Sequence, residues 1–173
     1  ISWIKSQKHL EQIKCGIFVI SSKIKFLPKE NVTYLVSDES PKLIFSKILK
    51  NHFTSNFDFY LQNCVDNHRL NKKIKISENV FIGKNVSIGS GTIIFPNVVI
   101  EANTVIGENC IIKSHVSIGT EGLGLELDKI EDNLVKFPQI GNVILEKNVE
   151  IGPNSTVRRG ALDSTIIKSH TKI

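Results

Sequence analysis

The chain has 173 residues, enough for one domain or two small ones, with 40% hydrophobic residues and 22 Lys and Arg against 17 Asp and Glu, a net charge of +5. The lysines are scattered without an aromatic-interleaved basic patch, which speaks against nucleic acid as a partner, and no run approaches the roughly 18 apolar residues of a membrane span. Cys15, Cys64 and Cys110 stand at no metal-ligand spacing and read as free, reduced thiols of a soluble, cytoplasmic protein.

Residues 1-70 read as a small α/β domain. Trp3, Ser6 and His9 are spaced at three, so on a turn or helix they share a face, where two rings could sandwich a flat ligand and a hydroxyl could bond its edge; the plainer alternative is simple packing. Lys8 to Lys14 carries Leu10 and Ile13 on one side and is followed by Gly16, a helix stop. Ile17 to Ile20 and Thr33 to Val36 read as strands around a polar turn at Pro28. Ser40-Pro41 starts a second helix, and Ile44, Ile48, Leu49 and Phe53 give it an apolar stripe to about His52. The polar segment from Asn63 to Lys73 is the expected domain boundary.

From residue 71 the pattern changes. Isoleucine recurs at every sixth position: Ile76, Ile82, Ile88, Ile94, Ile100, Ile106, Ile112 and Ile118. Two residues before each stands a small or β-branched side chain (Val80, Val86, Thr92, Val98, Thr104, Cys110, Val116), suited to a short strand whose alternate side chains point the same way. Three before stands Asn, Gly or His, the types that tolerate positive φ. Each hexad is then a short strand closed by a tight turn, and such strands bury their apolar faces only by stacking into a solenoid. With three faces per coil, Ile76, Ile94 and Ile112 form one ladder, and Ile82, Ile100 and Ile118 another.

The period fails over about residues 120-141, a length at which a loop in a compact repeat is usually functional or disordered. It resumes with Leu145, Ile151 and Val157, preceded by Val143, Val149 and Ser155 and by Asn142, Asn148 and Asn154 in the turn column. The phase then slips by four across Arg158 to Asp163, which predicts either a bulge that exposes Asp163 or an inward carboxylate paired with Arg158 or Arg159. His115 and His170 fall in the turn column, and that column explains them better than a catalytic or metal-binding role. No metal is expected. The chain opens without methionine and stops in mid-repeat at Ile173, which predicts a fragment.

Three stretches carry a more specific signal. Phe137-Pro-Gln-Ile-Gly-Asn-Val-Ile144, Asn148-Val-Glu-Ile-Gly-Pro-Asn154 and Arg159-Gly-Ala-Leu-Asp163 with Thr165-Ile-Ile167 closely resemble the UDP-3-O-acylglucosamine N-acyltransferases of lipid A synthesis. The loop from Gly119 to Gly124 resembles that family's glycine-rich insertion, with Glu121 and Leu123 where Asp and Phe are usual, and Arg158 replaces an acidic residue. The opening Ile1 to His9 resembles the start of its uridine-binding domain. The resemblance implies a mostly β chain, a left-handed parallel β-helix of hexapeptide repeats over 71-173 preceded by the α/β domain, assembled as a homotrimer. It implies transfer of a 3-hydroxyacyl chain from acyl carrier protein to the 2-amine of a UDP-sugar, by a histidine base and an oxyanion hole of backbone N–H groups, without a cofactor. Trp3, Ser6 and His9 fall on the uracil-contacting positions, whereas the catalytic histidine and its aspartate are expected beyond Ile173. An acetyl-CoA-dependent sugar-nucleotide acetyltransferase and a non-catalytic trimeric scaffold are the alternatives.

Overall fold

The computed structural model describes residues 1–4, 6–52 and 73–173. Cys64, Phe53 and the expected boundary up to residue 72 lie outside the described residues. The chain divides into two compact units, Ile1–Thr54 with Leu123–Pro138, and Ser55–Gly122 with Gln139–Ile173.

In the first unit, β1 (Ser2–Ile4), β2 (Gly16–Ser21) and β3 (Val32–Ser37) form a parallel sheet in that order. Strand β1 was not expected from the sequence, since three residues carry no readable period. Helix α1 (Gln7–Gln12) ends earlier than Gly16 suggested: Ile13 is already extended, and Gly16, at φ 125, opens β2 instead. Helix α2 (Pro41–His52) buries Leu43, Phe45, Ser46 and Leu49, and the Ser46 hydroxyl donates back to the Lys42 carbonyl at 2.8 Å. A second small core gathers Ile4, Leu10 and Ile20 with Phe18, Phe26 and Tyr34.

The interrupting segment folds as an antiparallel hairpin of β12 (Leu125–Asp128) and β13 (Asn133–Lys136). Alternation along β12 sends Glu126 and Asp128 toward α2, where they pair with Lys42 and Lys47, the second at 2.6 Å. Asp128 also caps the turn, its Oδ1 accepting from the backbone N–H of Ile130 and Glu131. These contacts, Lys47 foremost, hold the Asp128 carboxyl below its ordinary value of 3.8. The anchoring is therefore complete above that value and is lost as pH falls through the depressed one. Acidification should accelerate hydrogen exchange at Ile130 and Glu131 before the solenoid melts; exchange that rises only with global unfolding would contradict this.

The second unit is the solenoid. Its three faces are parallel sheets: β4 (Lys75–Ile76), β7 (Ile93–Ile94), β10 (Ile111–Ile112) and β15 (Glu150–Ile151); β5 (Phe81–Ile82), β8 (Val99–Ile100), β11 (Ser117–Thr120) and β16 (Thr156–Arg158); β6 (Ser87–Ile88), β9 (Val105–Ile106), β14 (Val143–Leu145) and β17 (Thr165–Ile167). Ile76, Ile94, Ile112 and Ile151 stand in register, as do Ile82, Ile100, Ile118 and Val157, so both expected ladders are present. Their side chains make one continuous core.

Polar residues in the inward column bond locally. Thr92 donates to Gly107 O and accepts from Cys110 N, while Thr104 donates to Glu101 O. Cys110 is a buried free thiol, pushed above its ordinary pKa mainly by burial; Cys15 is free and exposed. The turn column takes positive φ from Asn79 to Asn109, at Asn148 and Asn154, and at His115 (62) and His170 (64). Asn142 does not. It re-enters from the insertion rather than from a preceding hexad, and its side chain bridges instead, donating to Asn103 O and accepting from Ser164 Oγ.

Candidate functional site

Two clusters carry the polar and aromatic groups that the repeat itself does not explain. The first lies in the α/β unit. Trp3 leaves β1 against two buried phenylalanines, with ring centroids 5.1 Å from Phe45 and 5.5 Å from Phe137. Lys42 Nζ stands 5.6 Å over the Phe137 ring. Ser6 precedes α1 in an extended conformation, and its Oγ is 3.0 Å from His9 Nδ1 on the first helical turn. The three residues are thus carried by a strand, a cap and a helix, not by one helical face. The structure brings Ser6 and His9 together; the ring partners of Trp3 among the described residues are Phe45 and Phe137. Chemically, the first group offers a partly exposed indole, and the second a hydroxyl–imidazole pair able to donate and accept.

The second cluster stands where the insertion leaves the solenoid. Arg159 is 4% exposed, and its guanidinium donates to Gly119 O at 2.6 Å and Ala102 O at 3.3 Å while standing 3.5 Å from Glu101. Burial pushes the Glu101 carboxyl above its ordinary value, Arg159 opposes the rise and nearby Glu121 adds to it. Asp163 is exposed, so the slip is a bulge, and Arg159 is the charge that turns inward. Gly160 and Gly141 fit there because a Cβ on either would lie 2.0 Å from Asp163 O. Sequence reasoning missed Glu101 as a site residue. The signal was weak: Glu101 occupies the slot after an anchor that Gly83, Gly89, Gly107 and Gly119 fill elsewhere, but Ser77, Phe95 and Lys113 depart from glycine there as well. Among the described residues, no group of three or more His, Cys, Asp or Glu could hold a metal ion.

Residues 85–120 match the bacterial transferase hexapeptide family model of six repeats. The solenoid is therefore a left-handed parallel β-helix. A UDP-3-O-acylglucosamine N-acyltransferase of Fusobacterium nucleatum subsp. nucleatum is 40% identical over 187 aligned residues, covering 98% of this chain and 55% of the relative. Nearly all of this chain is similar to that enzyme. Proteins of the same name from Coxiella burnetii and Lawsonia intracellularis are 50% identical over 56 residues and 47% over 58, covering 32% and 34% of this chain and 16% of each relative. The chain spans about half the length of the Fusobacterium relative. No described helix is long and apolar enough to cross a membrane.

Proposed function

We propose that this protein is an N-acyltransferase of lipid A synthesis that moves a 3-hydroxyacyl chain from acyl carrier protein to the 2-amine of UDP-3-O-acylglucosamine, as a cytoplasmic homotrimer. The observation that carries the reading is the 40% identity to an enzyme of that name across 98% of the chain. The solenoid corner through Arg159 to Asp163 supports it. In this reaction the sugar amine attacks the thioester carbonyl, the amide C–N bond forms, the C–S bond breaks, and the carrier thiol leaves with the proton that the amine gives up. Residues 1–173 contribute nucleotide binding, through Trp3, Ser6 and His9. Neither His115 nor His170 is assigned as the base, because both serve the solenoid turns.

Acyl transfer is tested with 3-hydroxyacyl carrier protein and UDP-3-O-acylglucosamine on the protein extended through the coil expected to follow Ile173, where the base is placed, following the N-acylated product by mass. Product formation is expected from that longer chain, and residues 1–173 alone are expected to bind the nucleotide without turnover. Consumption of acetyl-CoA with amino-sugar nucleotide, and none of the carrier thioester, would replace the reading with an acetyltransferase; trimers that transfer from no donor would reduce it to a scaffold. Trp3→Ala should weaken UDP-acylglucosamine binding by about 1 kcal/mol through lost ring contact. Equal affinity in calorimetry would remove Trp3 from the site.

A further inference from the structure

A cleft of about 320 Å³ opens on α1 beside the segment leading into β3. Leu10, Phe26, Leu27 and Tyr34 supply its apolar lining, and Gln7 and Glu11 its polar groups. Gln7, Leu10 and Glu11 are spaced i, i+3 and i+4 on α1, a different stripe from that of Ser6 and His9. Two observations make this cleft more than a surface dent. The Phe26 and Tyr34 rings pair with centroids 4.4 Å apart, and the Tyr34 hydroxyl is buried without a hydrogen-bond partner among the described residues. Buried hydroxyls are nearly always bonded, because leaving one unpaired forfeits its solvation for nothing.

Among the described residues, the cation lining the cleft, Lys29, is already committed. Lys29 Nζ donates to the carbonyls of Leu10 at 2.7 Å, Glu11 at 3.2 Å and Ile13 at 3.2 Å, which uses all three ammonium protons at the end of α1. Lys29 therefore stitches the wall together and offers nothing to an anion. What remains is an aromatic, apolar lining, a hydroxyl in want of a partner, and an amide and a carboxylate that accept N–H groups. The volume sits at the low end of ligand pockets, roughly 300 Å³, room for a ring rather than a nucleotide.

We propose that this cleft binds a small neutral planar ring carrying a carbonyl beside an N–H, as in a heteroaromatic carboxamide or lactam. The carbonyl accepts from the Tyr34 hydroxyl, the N–H donates to Gln7 or Glu11, and the ring lies against Phe26. Because the hydroxyl is shut off from solvent, entry shifts the Phe26 ring, which is carried by a segment between strands and not by the sheet itself. The site is separate from Trp3, Ser6 and His9, so it stands or falls apart from the acyl-transfer reading.

Nicotinamide and hypoxanthine are the probes, titrated into the 15N-labelled protein and followed by amide shifts. At least one should bind saturably, moving the amides of Gln7, Glu11, Lys29 and Tyr34, and Tyr34→Phe should weaken it at least tenfold without lowering the thermal midpoint, since among the described residues the hydroxyl has no internal partner to lose. Failure of both probes to shift these amides would overturn the proposal, as would undiminished binding by Tyr34→Phe. Inorganic phosphate moving the same amides would also overturn it, by showing that Lys29 is available to anions.

Discussion

Ile100→Ala should destabilise the solenoid by about 4 kcal/mol, within the range found when a buried isoleucine is cut back and its cavity cannot collapse. Ile100 is fully buried between Ile82 and Ile118 in the same ladder, so the lost methylenes leave a gap between coils that are pinned on both sides by backbone hydrogen bonds such as Gly83 N to Ile100 O at 2.7 Å and Glu101 N to Ile118 O at 2.8 Å. The control is Val105→Ala, five residues on in an outward slot, 37% exposed, for which a change of about 0.5 kcal/mol or less is expected. Urea unfolding followed by far-ultraviolet circular dichroism measures both. Equal losses at the two positions would mean that the inward column is not the core.

Arg159→Met is the second large effect, at about 3 kcal/mol, because removing one partner of a buried charged network leaves the others unpaired. Two carbonyls, Gly119 O and Ala102 O, lose their guanidinium donor, and Glu101 loses the positive charge that opposes the rise in its pKa. Lysine would not replace it, since a single ammonium cannot reproduce the planar fork that spans both carbonyls. The effect should depend on pH with a definite sign. A carboxyl whose folded pKa is raised binds its proton more tightly in the folded state, so its contribution is most favourable below the ordinary value of 4.5 and declines as pH rises through the folded value. The Arg159→Met penalty is therefore larger at neutral pH than in acid. Arg158→Met, on the exposed neighbour, should change stability by no more than about 0.5 kcal/mol. A pH-independent loss in Arg159→Met would show that the bonds to the two carbonyls and the packing of the arginine stem, not the pairing with Glu101, hold the corner.

The solenoid was legible because its physics is written into every coil. A side chain that must point inward, one that must stack beside it and a backbone that must turn left-handed each left a column of period six, and the ladders, the buried threonines and the two histidines followed from those columns. The exceptions occur where a coil is not made of consecutive hexads. Asn142 has the residue type of a turn but enters from the hairpin, so its side chain bridges Asn103 and Ser164 instead. The choice at Asp163 could be narrowed to a bulge or an inward carboxylate, yet nothing in the sequence said that Arg159 would fill the interior, because its partners are carbonyls from coils 40 and 57 residues away. The hairpin was equally hidden: its strands carry exposed Leu125, Leu127 and Leu134 on one side and the carboxylates that meet α2 on the other, the reverse of the usual alternation. In the α/β unit the extent of helix α2 was readable from its Pro, but its buried side was not. Of the expected stripe, Ile44 and Ile48 are only partly buried, and Leu49 is joined instead by Leu43 and Phe45. Strand β1 and the aromatic cluster of Trp3, Phe45 and Phe137 depend on long-range packing.

Trp3 is the chain's one tryptophan, so its emission reports on the proposed nucleotide face without labelling. Titration with UDP-3-O-acylglucosamine should shift or quench that emission saturably, and UDP alone should compete for the same site. A folded protein whose Trp3 emission and calorimetric heat both stay flat through the titration would contradict the assignment of this chain to UDP-sugar acyl transfer.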